Sequence, residues 1–269
     1  MPRVFARAVS AARTVVAAAA MLLALAADAA AQTAAPGQPV AFLPQAGFHF
    51  QFAGLVANDT RFDWHGIVGF DIDVVDYRRG RATFSAEYEG VLGHERRLYD
   101  LNHGNYRFEA TGSYRAGRTE IALLTVHVSR HLSDREQPGA VSWNLIGVRA
   151  RRHLTRGQST FDAQGSFGFA GQQAFVDYNW VADARVAWQH PVNERIDLIS
   201  TGTGILIGVN EDVAGRPNLC GGRIEGGVRI NGTRAALELF AGYERRVDAF
   251  PADRFRVRMF TAGFRLVSR

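Results

Sequence analysis

Between Thr119 and Asp134 the chain reads T-E-I-A-L-L-T-V-H-V-S-R-H-L-S-D, which sets two imidazoles and a hydroxyl two residues apart at His127, Ser129 and His131. Alternate residues of a β-strand share a face, so in an extended chain the three stand side by side. An imidazole beside a hydroxyl is the core of a nucleophilic hydrolase, in which the His takes the Ser proton and a third group orients the His. Asp134, with Glu136 behind it, follows closely enough to reach back as that third group, so His127, Ser129 and Asp134 form the candidate catalytic set and His131 a binding neighbour.

A second cluster lies between Leu92 and Asn105, where His94, Glu95, Arg96, Arg97, Asp100 and His103 share one connecting segment. Arg suits phosphate, as on lipopolysaccharide, and His with carboxylates suits a metal. The same composition also suits an ordinary solvated loop. Arg96, Arg97, Asp100 and His103 are the binding candidates. No spacing marks a metal-ligand cluster, and neither a metal nor a cofactor is expected. The single cysteine, Cys220, cannot form an internal disulfide and reads as a free loop thiol.

The elements that must carry these groups are strands. Past the amino terminus amphipathic helical periodicity is scarce, whereas period-two alternation recurs. The stretch 66–75 sets Val68, Phe70, Ile72 and Val74 against Asp71 and Asp73, and 106–114 sets Tyr106, Phe108, Ala110 and Tyr114 against Arg107 and Glu109. Similar patterns cover 82–88, 119–134, 160–169, 176–188, 222–231 and 235–246, with weaker ones at 48–55, 141–153, 196–209 and 255–267. Links after even-numbered strands are tight, as at 77–80 and 116–117, and most links after odd-numbered strands are long. That pattern predicts an all-β fold, a transmembrane antiparallel up-and-down β-barrel of about twelve strands with both termini in the periplasm.

In such a barrel one face of each strand meets lipid and the other the lumen. The polar faces place Asp71, Asp73, Glu87, Arg107, Glu109, Asp177, Asp183, Arg185, Arg223, Glu225 and Arg229 in the lumen, either pairing with one another or lining a narrow channel for a small solute. On the 119–134 strand the same logic predicts Ala122, Leu124, Val126, Val128 and Leu132 facing lipid, and His127, Ser129 and His131 facing the lumen. A soluble sandwich or lipocalin-like barrel would show the same alternation with the apolar face inward.

Residues 1–31 read as an export signal: Arg3, Arg7 and Arg13, an apolar run over 15–26, and Ala29-Ala30-Ala31 before Gln32. A flexible lead-in over 32–46 and a barrel over 47–269 follow, which predicts a bacterial outer-membrane location. All 31 basic residues are Arg, interleaved with 26 acids, so no clustered basic face suggests nucleic acid. The expected partners are outer-membrane lipids and lipopolysaccharide, with the barrel assembly machinery during biogenesis and a monomer in the membrane. The carboxyl-terminal R-M-F-T-A-G-F-R-L resembles the β-signal read by that machinery, through Thr261, Gly263, Phe264 and Leu266.

Two resemblances bear on function. His127-Val128-Ser129 is similar to the H-x-S pair of outer-membrane lipid A deacylases, which implies a lipid ester hydrolase; those enzymes carry an acid on the following strand, and here that strand opens Ala140-Val141-Ser142-Trp143-Asn144. F-A-G-L-V-A-N-D-T-R, L-Y-D-L-N, Y-R-A-G and H-V-S-R-H-L-S-D-R-E, spread over 52–136, together resemble a family of bacterial outer-membrane proteins of unknown function with an H-x-S-S-H-L-G-D-E signature. That resemblance implies location and fold and lends no activity.

Overall fold

The computed structural model describes residues 40–77, 79–133, 141–210, 215–251 and 253–268. The expected export signal, most of the lead-in and Asp134 lie outside them. Twelve strands run β1 (Ala41–Val56), β2 (Trp64–Tyr77), β3 (Gly80–Gly93), β4 (Asp100–Ala116), β5 (Thr119–Leu132), β6 (Val141–Arg156), β7 (Ser159–Ala174), β8 (Tyr178–Pro191), β9 (Ile196–Val209), β10 (Leu219–Asn231), β11 (Ala235–Arg246) and β12 (Val257–Ser268). Each pairs antiparallel with its neighbours in sequence, and β1 with β12 through His49↔Val267 to Val56↔Phe260, so the sheet closes with no edge. β1 starts at Ala41, within the stretch expected as lead-in, and Cys220 sits exposed and unpaired in β10 rather than in a loop.

The connections explain the closure. Links after even-numbered strands are two to four residues long, and links after odd-numbered strands three to ten. Two of the tight turns open on Gly117 and Gly157 at φ of 62° and 61°, the left-handed region that a Cβ disfavours. Short turns mark the periplasmic end and long loops the outer end. Around the outside runs a belt of exposed apolar side chains, including Phe50, Phe70, Phe108, Ile146, Phe169 and Leu239. Water does not tolerate an apolar surface that encircles a protein, so the belt marks the lipid-facing zone, and the soluble arrangement is set aside.

The lumen is divided by height. Its lower half is ionic: Glu109 accepts from Arg149 and Arg107, Asp73 and Glu120 grip Arg81, and Glu225 and Glu238 share Arg265. Its upper half holds two apolar clusters beside a buried network of His65, Glu89, Glu244 and Arg246. Leu124, Val126, Leu145, Val181, Ile207 and Leu219 form one buried cluster. A second gathers Phe62, Val91, Ala249, Phe250 and Met259, two of them from the 247–256 loop folded into the mouth.

This division reverses the expectation for β5. Phe108 pairs with His127 and Glu109 with Val126. Glu109 points inward to its arginines, so Val126, Leu124 and Ala122 point inward with it, and His127, Ser129 and His131 face out. The apolar face of β5 packs into the lumen plug instead of meeting lipid. Ile121, half exposed on the other side, supplies lipid contact.

A second correction concerns Asp177, expected on a lumen strand. It lies in the three-residue link between β7 and β8, drawn upward because Arg216 holds its carboxylate through Nη2 at 2.6 Å and Nε at 2.8 Å. Arg216 also reaches Asp248, and Arg254 adds a contact to Asp177 at 3.1 Å. Burial alone would raise the Asp177 pKa, but the hydrogen bonds and charge of Arg216, helped by Arg254, hold it below the ordinary carboxylate value. A depressed folded pKa stabilises the outer cap at pH values above the ordinary 3.8, and the stabilisation fades as pH falls through the lowered value. Amide exchange in the 175–177, 215–218 and 247–251 segments is therefore expected to be equally slow at about pH 7 and about pH 5, and fast below about pH 3. Loss of protection already at about pH 5 would contradict this assignment.

Candidate active site on the outer face of the barrel

Three neighbouring strands place polar side chains in one row on the outside. His127 of β5 lies directly opposite Asn144 of β6, and Asn144 opposite Gln172 of β7. Gln172 reaches this face through a bulge. The β6–β7 register runs Leu145↔Ala170 and then Asn144↔Gln172, leaving Gly171 as the extra residue. Without it Gln172 would share the inward phase of Ser166, Gly168 and Ala170.

The row is hydrogen-bonded in sequence. Asn144 Nδ2 donates to Gln172 Oε1 at 3.0 Å, which leaves Asn144 Oδ1 to accept from His127 Nδ1 at 2.7 Å. A proton held at Nδ1 makes Nε2 the lone-pair nitrogen, the tautomer a general base requires. The imidazole is further steadied by stacking on Phe108, with centroids 6.3 Å apart and planes at 21°.

One step toward the outer rim, Ser129 stands on the same face between Tyr106 of β4 and Ser142 of β6. Its Oγ is 2.8 Å from His131 Nε2, so an imidazole flanks it on either side along the strand. The His131 ring meets Tyr106 edge-on at 5.5 Å. Tyr106 in turn packs on Tyr88 at 4.9 Å, and this aromatic row marks the membrane–water interface. Ser129 lies three residues from the outer end of β5, roughly 10 Å at about 3.3 Å per residue.

The other described sequence candidates do not join this site. Asp134 lies outside the described residues. His103 is fully buried inside the barrel mouth, edge-on to Phe250 at 5.4 Å and Phe62 at 6.0 Å, with neither ring nitrogen hydrogen-bonded, so it is no part of an exposed phosphate site. Asp100 is buried at the start of β4 with Arg97 Nε 3.5 Å away, and Arg96 and Arg97 belong to the 94–99 loop. No group of three or more His, Cys, Asp or Glu suited to a metal occurs among the described residues. Asn144 and Gln172 escaped the sequence reading. The search was for an acid, and an amide serves the orienting role as well. The signal for Asn144 was its alternate-residue phase with Ser142, and the signal for Gln172 was masked by the bulge.

No family model and no curated protein matches the chain. Solved structures do. Outer membrane phospholipase A from Escherichia coli superposes with a TM-score of 0.51 at 10% identity, over 84% of this chain and 97% of that one. An asparagine-to-alanine active-site mutant of the same enzyme gives 0.51 at 11% identity over 87% and 94%. The KdgM porin gives 0.46 at 7% over 81% and 97%. At these identities the likeness is one of fold: the chain has the barrel architecture of bacterial outer-membrane proteins.

The outward orientation has a direct test. With the native thiol removed by Cys220→Ser, a fluorophore on Ser129→Cys in bilayers of brominated lipid is expected to be quenched more strongly than one on the lumen-facing Thr203→Cys. Equal quenching at the two positions would contradict it.

Proposed function

We propose that the protein is an outer-membrane acyl-ester hydrolase that works on lipid from the barrel's outer surface. Ser129 is the nucleophile, His127 the general base, and Asn144, braced by Gln172, the group that orients the base. The observation that carries this reading is the 2.7 Å bond from His127 Nδ1 to Asn144 Oδ1, on the lipid side and one strand step from Ser129. His127 Nε2 takes the hydroxyl proton as Ser129 Oγ attacks the ester carbonyl. The tetrahedral intermediate collapses to an acyl-Ser129 as His127 returns the proton to the leaving alcohol, and water then hydrolyses the acyl-enzyme by the same route.

Three further points support the reading. The solved phospholipase mutant places an asparagine in the active site of a barrel of this fold. The aromatic row sets Ser129 at the depth where acyl chains join polar headgroups, so glycerophospholipid and the acylated sugars of lipopolysaccharide are the substrate classes within reach. The packed upper lumen weighs against the narrow small-solute channel that the charged lumen faces first suggested, and leaves the outer wall as the working surface. Export to the outer membrane and insertion as a monomer belong to this proposal.

The test is acyl release from phospholipid and from lipid A by the purified protein in mixed micelles. Ser129→Ala and His127→Ala are expected to lower kcat by at least about 10³-fold, and Asn144→Ala by roughly ten- to a hundredfold. His131→Ala is expected to retain most activity, because among the described residues no side chain hydrogen-bonds its Nδ1 as Asn144 does that of His127. Transfer of the large loss from His127 to His131 would reassign the base, and full activity in Ser129→Ala would overturn the proposal.

A further inference from the structure

Inside the barrel, away from the outer wall, a cavity of about 500 Å³ lies beneath the apolar plug. Seven arginines border it, Arg185, Arg223 and Arg246 among them, against four carboxylates, Glu87, Glu89, Asp183 and Glu244. Most lumen arginines are spent on carboxylates: Arg149 on Glu109, Arg223 on Glu225, Arg246 on Glu89 and Glu244. Those pairs do not use every donor. Arg149 Nε, Arg223 Nε and Arg246 Nη1 are buried and have no acceptor among the described residues. Arg185 goes further. It opens into the cavity, and no ion pair or hydrogen bond of its side chain occurs among the described residues. Its nearest acid along β8, Asp183, instead accepts from Ser166 Oγ.

Arginine thus outnumbers carboxylate around this space, and Arg185 opens into it unpaired among the described residues. A guanidinium binds most strongly where its planar fork meets oxygen atoms in its own plane, and a tetrahedral or planar oxyanion supplies them. A neutral sugar would answer the hydrogen bonds and leave the charge of Arg185 unmatched. Further spaces lie below it. Arg149 and Gln164 border both the cavity and a second space under it, and Arg81, Glu120 and Arg151 border both that second space and the periplasmic mouth. Above, Phe62, Phe250 and Met259 are buried in the plug. Through these shared linings the interior forms, among the described residues, a vestibule stacked toward the periplasmic mouth with apolar packing above it.

We propose that this vestibule is an oxyanion-binding site for a small phosphate- or carboxylate-bearing periplasmic solute, with Arg185 as its principal cation. The site is separate from the outer-wall hydrolase in place and in chemistry. It stands or falls without that reading.

Isothermal titration of the full-length, detergent-solubilised protein with inorganic phosphate, in chloride buffer of matched ionic strength, tests it. Saturable binding is expected, and succinate in place of phosphate separates the phosphate class from the carboxylate class. Arg185→Gln is expected to weaken binding at least about tenfold, and Arg185→Lys to recover part of it by restoring the charge without the fork. Heat-modifiable gel mobility establishes that each variant is folded, and Ser129→Ala is expected to bind like the parent. Absence of saturable binding to either anion, or equal affinity in parent and a folded Arg185→Gln, would overturn the proposal.

Discussion

Hydrocarbon offers no hydrogen bonds, so a chain that crosses it as strands must pair every backbone group with another strand and leave no edge. That constraint governs everything else in this protein. Closure of β1 on β12 turns twelve separate alternations into one connected system, in which the facing of any residue is dictated by its partners on either side. A strand cannot choose its own inward face. β5 shows the consequence: ion pairs of Glu109 on β4 dictate that Val126 turns inward, and His127 and Ser129 are carried to the outer wall as a result.

Filling the lumen makes that outcome stable. Inward apolar residues of β5 to β10 meet the folded-in loops and form a plug in the upper half, while the lower half neutralises its charges in pairs. The plug frees the interior from the demand that it be polar throughout. The barrel then acts as a rigid frame on whose outside a single bulge, at Gly171, brings Gln172 behind Asn144 and Asn144 behind His127. Rigid strands hold such a row better than loops do, which suits a base whose tautomer depends on one amide oxygen.

Much of the architecture was legible in the sequence. Strand number and the alternation of short and long links follow directly from period-two patterning and from where turn residues fall, as the Gly117 and Gly157 turns illustrate. The facing of β2 was equally readable, because Asp71 and Asp73 oppose an unambiguous apolar face. β5 was not, because it carries apolar residues on both faces and polar ones at one end, so its phase is decided by β4. Bulges hide phase in the same way: the inserted Gly171 leaves no trace in composition. His103 looked like a loop ligand because its neighbours are charged, yet β4 begins at Asp100 and carries it into the plug. The candidate site was half visible, through the H-x-S spacing. Its orienting partner was hidden because it is an amide on the next strand.

The central claim is that Ser129 is an activated nucleophile on the lipid face. A fluorophosphonate bearing a long alkyl chain, applied to the protein in micelles and followed by peptide mass mapping, tests it most directly. The account requires one covalent adduct, on Ser129, formed much more slowly when His127 or Asn144 is replaced by Ala. An unmodified Ser129 after prolonged exposure, or labelling at the same rate in the His127→Ala protein, would contradict it.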